Sequence, residues 1–116
     1  MEKVFNFPKE LQDSTCINIF YGTGIKATKR LKIMSKDIKI DYIGDNDEEK
    51  WGTYIDGILC ISHEEIRKKK ECVNLIIGSN VYRKEIYERM LSLGLMDKQI
   101  FYDNYSEEMD ERSFLL

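Results

Sequence analysis

The feature that most constrains the fold is a pair of glycines set between a strand-like run and a helix-like segment. Residues 16–21 are almost continuously apolar and rich in β-forming residue types, as expected of a strand buried on both faces. The turn Gly22-Thr23-Gly24 follows directly, and from residue 25 to about residue 35 the apolar side chains recur at helical spacing. This order predicts a strand, a tight turn and a helix in succession.

The rest of the chain repeats this alternation of strands and helices. Further strands are predicted at residues 38–42, 58–61, 73–78 and 100–102. Ser62 and Glu65 form a capping-box pattern that starts one helix, and Gly94 is placed to end another in a left-handed conformation. We therefore expect a three-layer α/β domain of Rossmann-like type, with about five parallel strands in the order 3-2-1-4-5 and helices on both faces.

Residues 22–27 have the pattern G-x-G-x-x-A directly after a strand and at the start of a helix, the context in which this pattern indicates phosphate binding. Gly22 permits a tight turn, Gly24 lets a phosphate approach the backbone, and Ala27 allows close packing of helix and strand. The helix N-terminus adds free N–H groups and a partial positive charge. We expect Gly22, Thr23 and Gly24 to hold a nucleotide phosphate. The alternative is that the two glycines only make a tight connection.

An acidic residue follows the second predicted strand at the position where Rossmann domains bind ribose. Asp45 lies about 20 residues after Gly24 and would hydrogen-bond ribose hydroxyls. A carboxylate here also repels a 2′-phosphate, so a dinucleotide ligand would be NAD rather than NADP. The alternative is that residues 45–47, Asp-Asn-Asp, form only a solvated turn.

The end of the fourth predicted strand would reach the same crevice. Gly78 and Ser79 lie beside the first turn in this topology and are expected to contact the ligand. In the competing interpretation Ser79 or Asn80 only caps the next helix. Trp51 either covers the edge of the core or stacks on a base.

Composition argues against several classes of partner. The net charge of −3 and the pI of about 5.3 give no general attraction for polyanions, so nucleic acid is a poor candidate. The cysteines Cys16, Cys60 and Cys72 have no metal-binding spacing and are expected as reduced thiols. The N-terminus lacks the apolar run of a signal peptide, and no stretch reaches the roughly 18 apolar residues of a membrane span. These features predict a cytoplasmic protein without a metal site or membrane insertion.

Residues that could perform catalysis are scarce. His63, the single histidine, lies inside the predicted capping box, where a structural role explains it. No serine or cysteine has the context of a nucleophile elbow, and no tyrosine is followed four residues later by the lysine that short-chain reductases use. We therefore predict no catalytic residues and no self-sufficient enzyme.

Several segments carry a resemblance through their order and spacing. They are Phe7-Pro8-Lys9-Glu10-Leu11, residues 19–24, Ile43-Gly44-Asp45-Asn46, residues 57–65 and residues 75–79. With them, residues 5–102 resemble the small Rossmann-like domains of bacterial capsule and surface-polysaccharide biosynthesis proteins, and are similar to the N-terminal domain of sugar-nucleotide acyltransferases. The resemblance implies a UDP-sugar held by Gly22, Gly24, Asp45 and Asn46. Relatives commonly carry Ala and a third Gly where this chain has Thr23 and Ala27. The β-helix that performs acyl transfer in those enzymes is missing, so their activity is not implied.

These observations give an expected organisation and two hypotheses. The expected parts are a lead-in at residues 1–15, the Rossmann-like domain at residues 16–102 and an acidic tail at residues 103–116. The leading hypothesis is a nucleotide-binding or nucleotide-sugar-binding module of surface-polysaccharide biosynthesis. Its candidate ligands are a nucleotide-sugar or NAD, and its candidate protein partners are an enzyme of polysaccharide synthesis or a second copy of the chain. The alternative is a non-catalytic protein-interaction domain that keeps the fold without a ligand and uses the apolar residues near both ends.

Overall fold

The computed structural model describes residues 9–12, 15–78 and 81–102, and these ranges form one sheet flanked by helices. The strands are β1 (Ile17–Tyr21), β2 (Tyr42–Gly44), β3 (Tyr54–Ile55), β4 (Ile58–Ile61), β5 (Val73–Ile77) and β6 (Ile100–Tyr102). The α-helices in the same ranges are α1 (Lys9–Gln12), α2 (Ile25–Met34), α3 (His63–Lys68) and α4 (Arg83–Ser92). Short 3-10 turns occupy Glu48–Lys50, Lys70–Cys72 and Asp97–Gln99. None of the helices in the described ranges is both long and apolar enough to cross a membrane.

The strands lie side by side in the order β3-β4-β2-β1-β5-β6. All neighbours are parallel except β3 and β4, which form an antiparallel hairpin. The expected sheet of about five parallel strands in the order 3-2-1-4-5 is therefore wrong in strand count and order at the β3 edge. The cause is the turn at Asp56 and Gly57, whose φ values of 54° and 80° are those of a tight hairpin turn. Asp-Gly between apolar residues is the sequence signal for such a hairpin.

The core has two parts, one on each face of the sheet. Side chains alternate along β1, so that Ile19 and Tyr21 face α3 and α4, whereas Phe20 faces α2. On the α2 face, Phe20 joins a buried cluster that contains Leu31 and Ile43. All five residues of β5 are buried, as expected of an apolar run that only Asn74 interrupts. The three-layer α/β architecture expected from the sequence is thus present.

The second strand begins later than the sequence pattern predicts. The predicted strand at residues 38–42 is observed as Tyr42–Gly44. Ile38 and Ile40 are buried in the α2 cluster, but they precede the strand. The segment before β2 contacts β1 partly through a side chain instead of a regular strand ladder, because the Asn18 side-chain amide donates to the carbonyl of Lys39 at 2.9 Å. The alternation of apolar residues therefore predicts the burial of Ile38 and Ile40 correctly, but it places the start of the strand too early.

A buried polar network fastens α1 to the sheet. The Asn18 amide is fully buried and also donates to the carbonyl of Leu11 at 2.8 Å. The Asn74 amide donates to the carbonyl of Glu10 and to the Asn18 side-chain oxygen, both at 3.1 Å. Leu11 itself is 3% exposed and belongs to the α2-face cluster. The segment before residue 16 therefore contributes both apolar packing and hydrogen-bond acceptors to this core.

The cysteines differ from the sequence-based expectation. Cys16 and Cys72 form a disulfide, so the expectation of reduced thiols is wrong for this pair. The parallel register sets Ile17 opposite Val73, and this places the two preceding residues side by side with their Cα atoms 4.8 Å apart. Cys60 is a free and buried thiol, and burial raises its pKa to about 11. Sequence spacing alone does not show a pairing that depends on strand register.

Candidate functional site

The carboxyl ends of β1, β2 and β5 border a cleft of about 600 Å³, which we call the main cleft. Residues 21–27 line it from the β1–α2 turn, together with Asp45 and Asn46 after β2, Gly78 and residues 81 and 82 after β5, and Ile86 of α4. The chain leaves β1 through α2 toward β2 and leaves β5 through α4 toward β6, so the connections from these two adjacent strands run in opposite directions along the sheet. In open α/β sheets, ligands bind in the crevice at such a point.

The turn between β1 and α2 depends on glycine at one of its two glycine positions. Gly22 has a φ of 130°, which side chains rarely adopt, and its N–H donates to the Gly44 carbonyl at 2.9 Å. Gly24 has an extended conformation with φ −64° and ψ 170°, which any residue can adopt. A methyl group added at Gly24 would meet no atom within 4 Å outside the adjoining residues. Neither a positive φ nor close packing therefore requires glycine at residue 24.

The N-terminus of α2 opens on the main cleft. Gly24 is its N-cap residue, and no side chain provides a capping hydrogen bond in the described residues. The first turn of this ten-residue helix contains no acidic residue. The Thr28 hydroxyl donates to the Gly24 carbonyl at 2.9 Å. Because this bond uses a carbonyl oxygen, it does not occupy the N–H groups of the turn. The helix dipole therefore offers positive potential and amide donors at the cleft.

Asp45 is held at the end of β2 by three hydrogen bonds. Its Oδ2 atom accepts the Thr23 hydroxyl at 2.6 Å, and its Oδ1 atom accepts the Asp47 N–H at 2.8 Å. The indole N–H of Trp51 donates to the Asp45 main-chain carbonyl at 2.8 Å. Asp45 and Thr23 are both half-buried. The predicted ribose-binding acid is thus joined directly to the predicted phosphate turn.

Asn46 is connected to a buried tyrosine and to the single histidine. The Tyr21 hydroxyl donates to Asn46 Oδ1 at 2.6 Å and lies 2.7 Å from His63 Nε2. Because a hydroxyl carries one proton, His63 then donates from Nε2. Burial, reinforced by the Asp45 carboxylate, raises the pKa of the Tyr21 hydroxyl, while burial and then the charge of Arg89 lower the pKa of His63. Both groups are therefore neutral at pH 7, and the Tyr21 hydroxyl orients the side chain of Asn46.

The wall formed after β5 is mainly apolar. Gly78 packs closely against the Phe20 ring, so a side chain there would clash, and this explains the glycine without a ligand. Val81 and Tyr82 are 67% and 60% exposed, and Ile25 on the opposite side is 84% exposed. Ser79, predicted to contact a ligand, lies outside the described residues. The main cleft is thus polar near Asp45 and apolar near residue 81.

The structure brings six of the seven predicted site residues to one cleft. These six are Gly22, Thr23, Gly24, Asp45, Asn46 and Gly78. Sequence reasoning missed Tyr21, Val81, Tyr82 and Ile86, which line the same cleft. Tyr21 is the last residue of β1 and directly precedes Gly22, and this position in the sequence could have indicated that it lies at the cleft. Trp51 lines a separate, smaller cleft of about 410 Å³ beside Tyr42 and Cys60.

His63 is the first residue of α3, and its ring packs against two aromatic side chains. Ser62 caps α3 by accepting the Glu65 N–H at 3.2 Å, which is the first of the two bonds of the predicted capping box. The His63 ring lies 6.1 Å from the Tyr21 ring and 5.1 Å from the Trp51 ring, measured between centroids. No cluster of three or more histidine, cysteine or acidic side chains that could hold a metal occurs among the described residues.

Three comparisons with known proteins bear on the fold and the family of this chain. A search of curated proteins gave no match. Among solved structures, the chain is similar to the crystal structure of RSP, a Rex-family repressor, with a TM-score of 0.56 and 12% sequence identity. The similarity covers 83% of this chain and 55% of the repressor chain, so this chain spans about half of that protein. It shows a shared α/β Rossmann-like fold. Residues 17–101 match the family model described as C2185-like, N-terminal, and the chain therefore belongs to the C2185-like N-terminal family.

Proposed function

We propose that this chain is a nucleotide-binding or nucleotide-sugar-binding module, with the ligand phosphate held at Gly22-Thr23-Gly24. The phosphate would accept hydrogen bonds from the first N–H groups of α2 and would interact favourably with the helix dipole. These groups line the main cleft, and its volume of about 600 Å³ falls within the range of small-molecule sites.

The observation that carries the proposal is the open space at Gly24. A glycine in an ordinary conformation costs conformational entropy on folding, and at an N-cap it is less favourable than serine, asparagine or aspartate, whose side chains bond the first N–H groups of the helix. Gly24 has such a conformation, and a Cβ atom there would touch nothing nearby in the protein. The missing side chain leaves room directly beside the uncapped N-terminus of α2. A bound phosphate is a physical reason for keeping that room empty.

Asp45 and Asn46 support a nucleoside attached to this phosphate. Asp45 is a carboxylate at the carboxyl end of the strand next to β1, where it can accept ribose hydroxyls. Asn46 is oriented by Tyr21 and offers its amide N–H₂ to a ligand. The negative charge of Asp45 disfavours a 2′-phosphate, so NAD is favoured over NADP among dinucleotides.

The apolar wall favours a ligand with two parts. Ribose at Asp45 and phosphate at Gly24 occupy the β2 side of the main cleft, whereas Val81 and Tyr82 lie on the β5 side. The second part of a nucleotide-sugar or of NAD would extend toward these exposed side chains. The resemblance to domains of surface-polysaccharide biosynthesis extends the proposal to a nucleotide-sugar of that process, used together with a partner enzyme. The apolar ends on which the alternative interaction role depends lie outside the described residues.

The Gly24→Ala variant tests the proposal. We expect it to weaken binding of UDP, UDP-glucose or NAD by at least about tenfold, because the methyl group occupies the position of the phosphate. The folded protein should change in stability by less than about 1 kcal/mol, because the lower flexibility of unfolded alanine is offset by the preference for glycine over alanine at an N-cap. Ser35→Ala at the other end of α2 is the matched control and should bind like the wild type. Binding would be measured by calorimetry and stability by thermal unfolding.

Two results would contradict the proposal. The first is that no nucleotide binds to the wild-type protein at millimolar concentration. The second is that a nucleotide binds equally well to Gly24→Ala, since the ligand would then lie elsewhere.

A further inference from the structure

The hydrogen bond between Thr23 and Asp45 uses a carboxylate oxygen that a bound ribose would also use. Both residues line the main cleft, and the distance from Thr23 Oγ1 to Asp45 Oδ2 is 2.6 Å. The Thr23 hydroxyl is an aliphatic alcohol, as are the 2′ and 3′ hydroxyls of ribose. The protein therefore supplies from its own chain the same type of donor that the ligand would bring.

Thr23 is not needed to orient this carboxylate. Asp45 Oδ1 already accepts the Asp47 N–H, and the Asp45 main chain is fixed by the Trp51 indole at 2.8 Å. These two contacts are independent of the β1–α2 turn. Loss of the Thr23 hydroxyl would thus free Oδ2 while the remaining contacts hold the acid in place.

From these contacts we infer that the Thr23 hydroxyl is an internal competitor of the ribose diol for Asp45, and so sets the affinity and ribose dependence of the site. The inference rests on the proposed nucleotide-binding function. On binding, the Thr23–Asp45 hydrogen bond is exchanged for a bond from ribose to the same oxygen. Part of the binding free energy is therefore spent on breaking a bond that the ligand-free protein has already formed.

The Thr23→Val variant shows whether the Thr23 hydroxyl competes with ribose for Asp45 or instead holds Asp45 in place for the ligand. Valine keeps the β-branched shape and loses the hydroxyl. We expect UDP to bind about tenfold more tightly to Thr23→Val than to the wild type, the size of change that one hydrogen bond to a charged group can produce. Inorganic pyrophosphate, which has no ribose, should bind equally to both proteins. When Asp45→Asn is already present, adding Thr23→Val should not increase the affinity for UDP further, since the acceptor is then no longer a carboxylate.

Thr53→Val serves as the matched control. Thr53 donates its hydroxyl to a main-chain carbonyl on an exposed turn and does not line the main cleft, so this variant should bind like the wild type. Thermal unfolding of each variant would show that the fold is retained.

The outcomes distinguish this inference from the proposal on which it rests. Tighter UDP binding with unchanged pyrophosphate binding supports the inference, as does binding that appears only in the variant. UDP binding that is unchanged or weaker in Thr23→Val overturns the inference and leaves the proposed function standing. Failure of both proteins to bind UDP, UDP-glucose or NAD overturns both.

Discussion

The disulfide between Cys16 and Cys72 should contribute a large part of the stability of the domain. It closes a loop with a sequence separation of 56 and joins the amino ends of β1 and β5. In the chain-entropy description, a crosslink over a loop of that length restricts the unfolded chain by about 4 kcal/mol at 25 °C. The double variant Cys16→Ser, Cys72→Ser should lose roughly that free energy of unfolding.

Urea unfolding measures this change directly. A domain of this size has an m-value of about 1–3 kcal/mol/M, so the midpoint should fall by about 2 M. Dithiothreitol should lower the midpoint of the wild type by the same amount and should have no effect on the double variant. Ligand binding should persist below the transition, because the disulfide lies at the opposite end of β1 from the main cleft. A loss of less than about 1 kcal/mol would refute the reasoning.

Two smaller effects follow from side chains around α3. Burial and then the charge of Arg89 lower the pKa of His63, so stability from the neutral imidazole is complete above the unfolded value of about 6.5 and is lost as the pH falls through the folded pKa. An NMR titration of this single histidine should give a midpoint below that of urea-unfolded protein, and a higher midpoint would contradict the expected burial effect. Ser62→Ala should cost about 1 kcal/mol in urea unfolding, because the Glu65 N–H loses its cap. Ser92→Ala should cost much less, and equal losses would argue against the capping explanation.

The strands that local sequence could identify are those with strong apolar runs. The prediction for β4 matches its observed limits, and those for β1 and β5 differ by one residue at an end. β3 was missed because two residues give no periodicity, although Asp56 and Gly57 carried a recognisable turn signal. The disulfide could not be inferred, since it depends on the register between two strands far apart in the chain.

The candidate site was predictable as far as topology determines it. The G-x-G turn and Asp45 were placed in one cleft by the rule that carboxyl ends of adjacent parallel strands meet. The bond between Thr23 and Asp45 and the contact of Tyr21 with His63 depend on side-chain positions that no local pattern encodes. Gly44 and Gly78 illustrate the same limit, because packing against Tyr21 and Phe20 explains both glycines.

The asparagine network has a consequence for any shortened form of this protein. A chain cut at residue 16 would lose the carbonyls of Glu10 and Leu11, which accept from the buried amides of Asn74 and Asn18. Each unsatisfied buried donor costs about 1–3 kcal/mol, and the Leu11 side chain would be lost from the apolar core as well. Truncation at the apparent start of the sheet would therefore weaken the protein, and recombinant versions should retain the residues of α1.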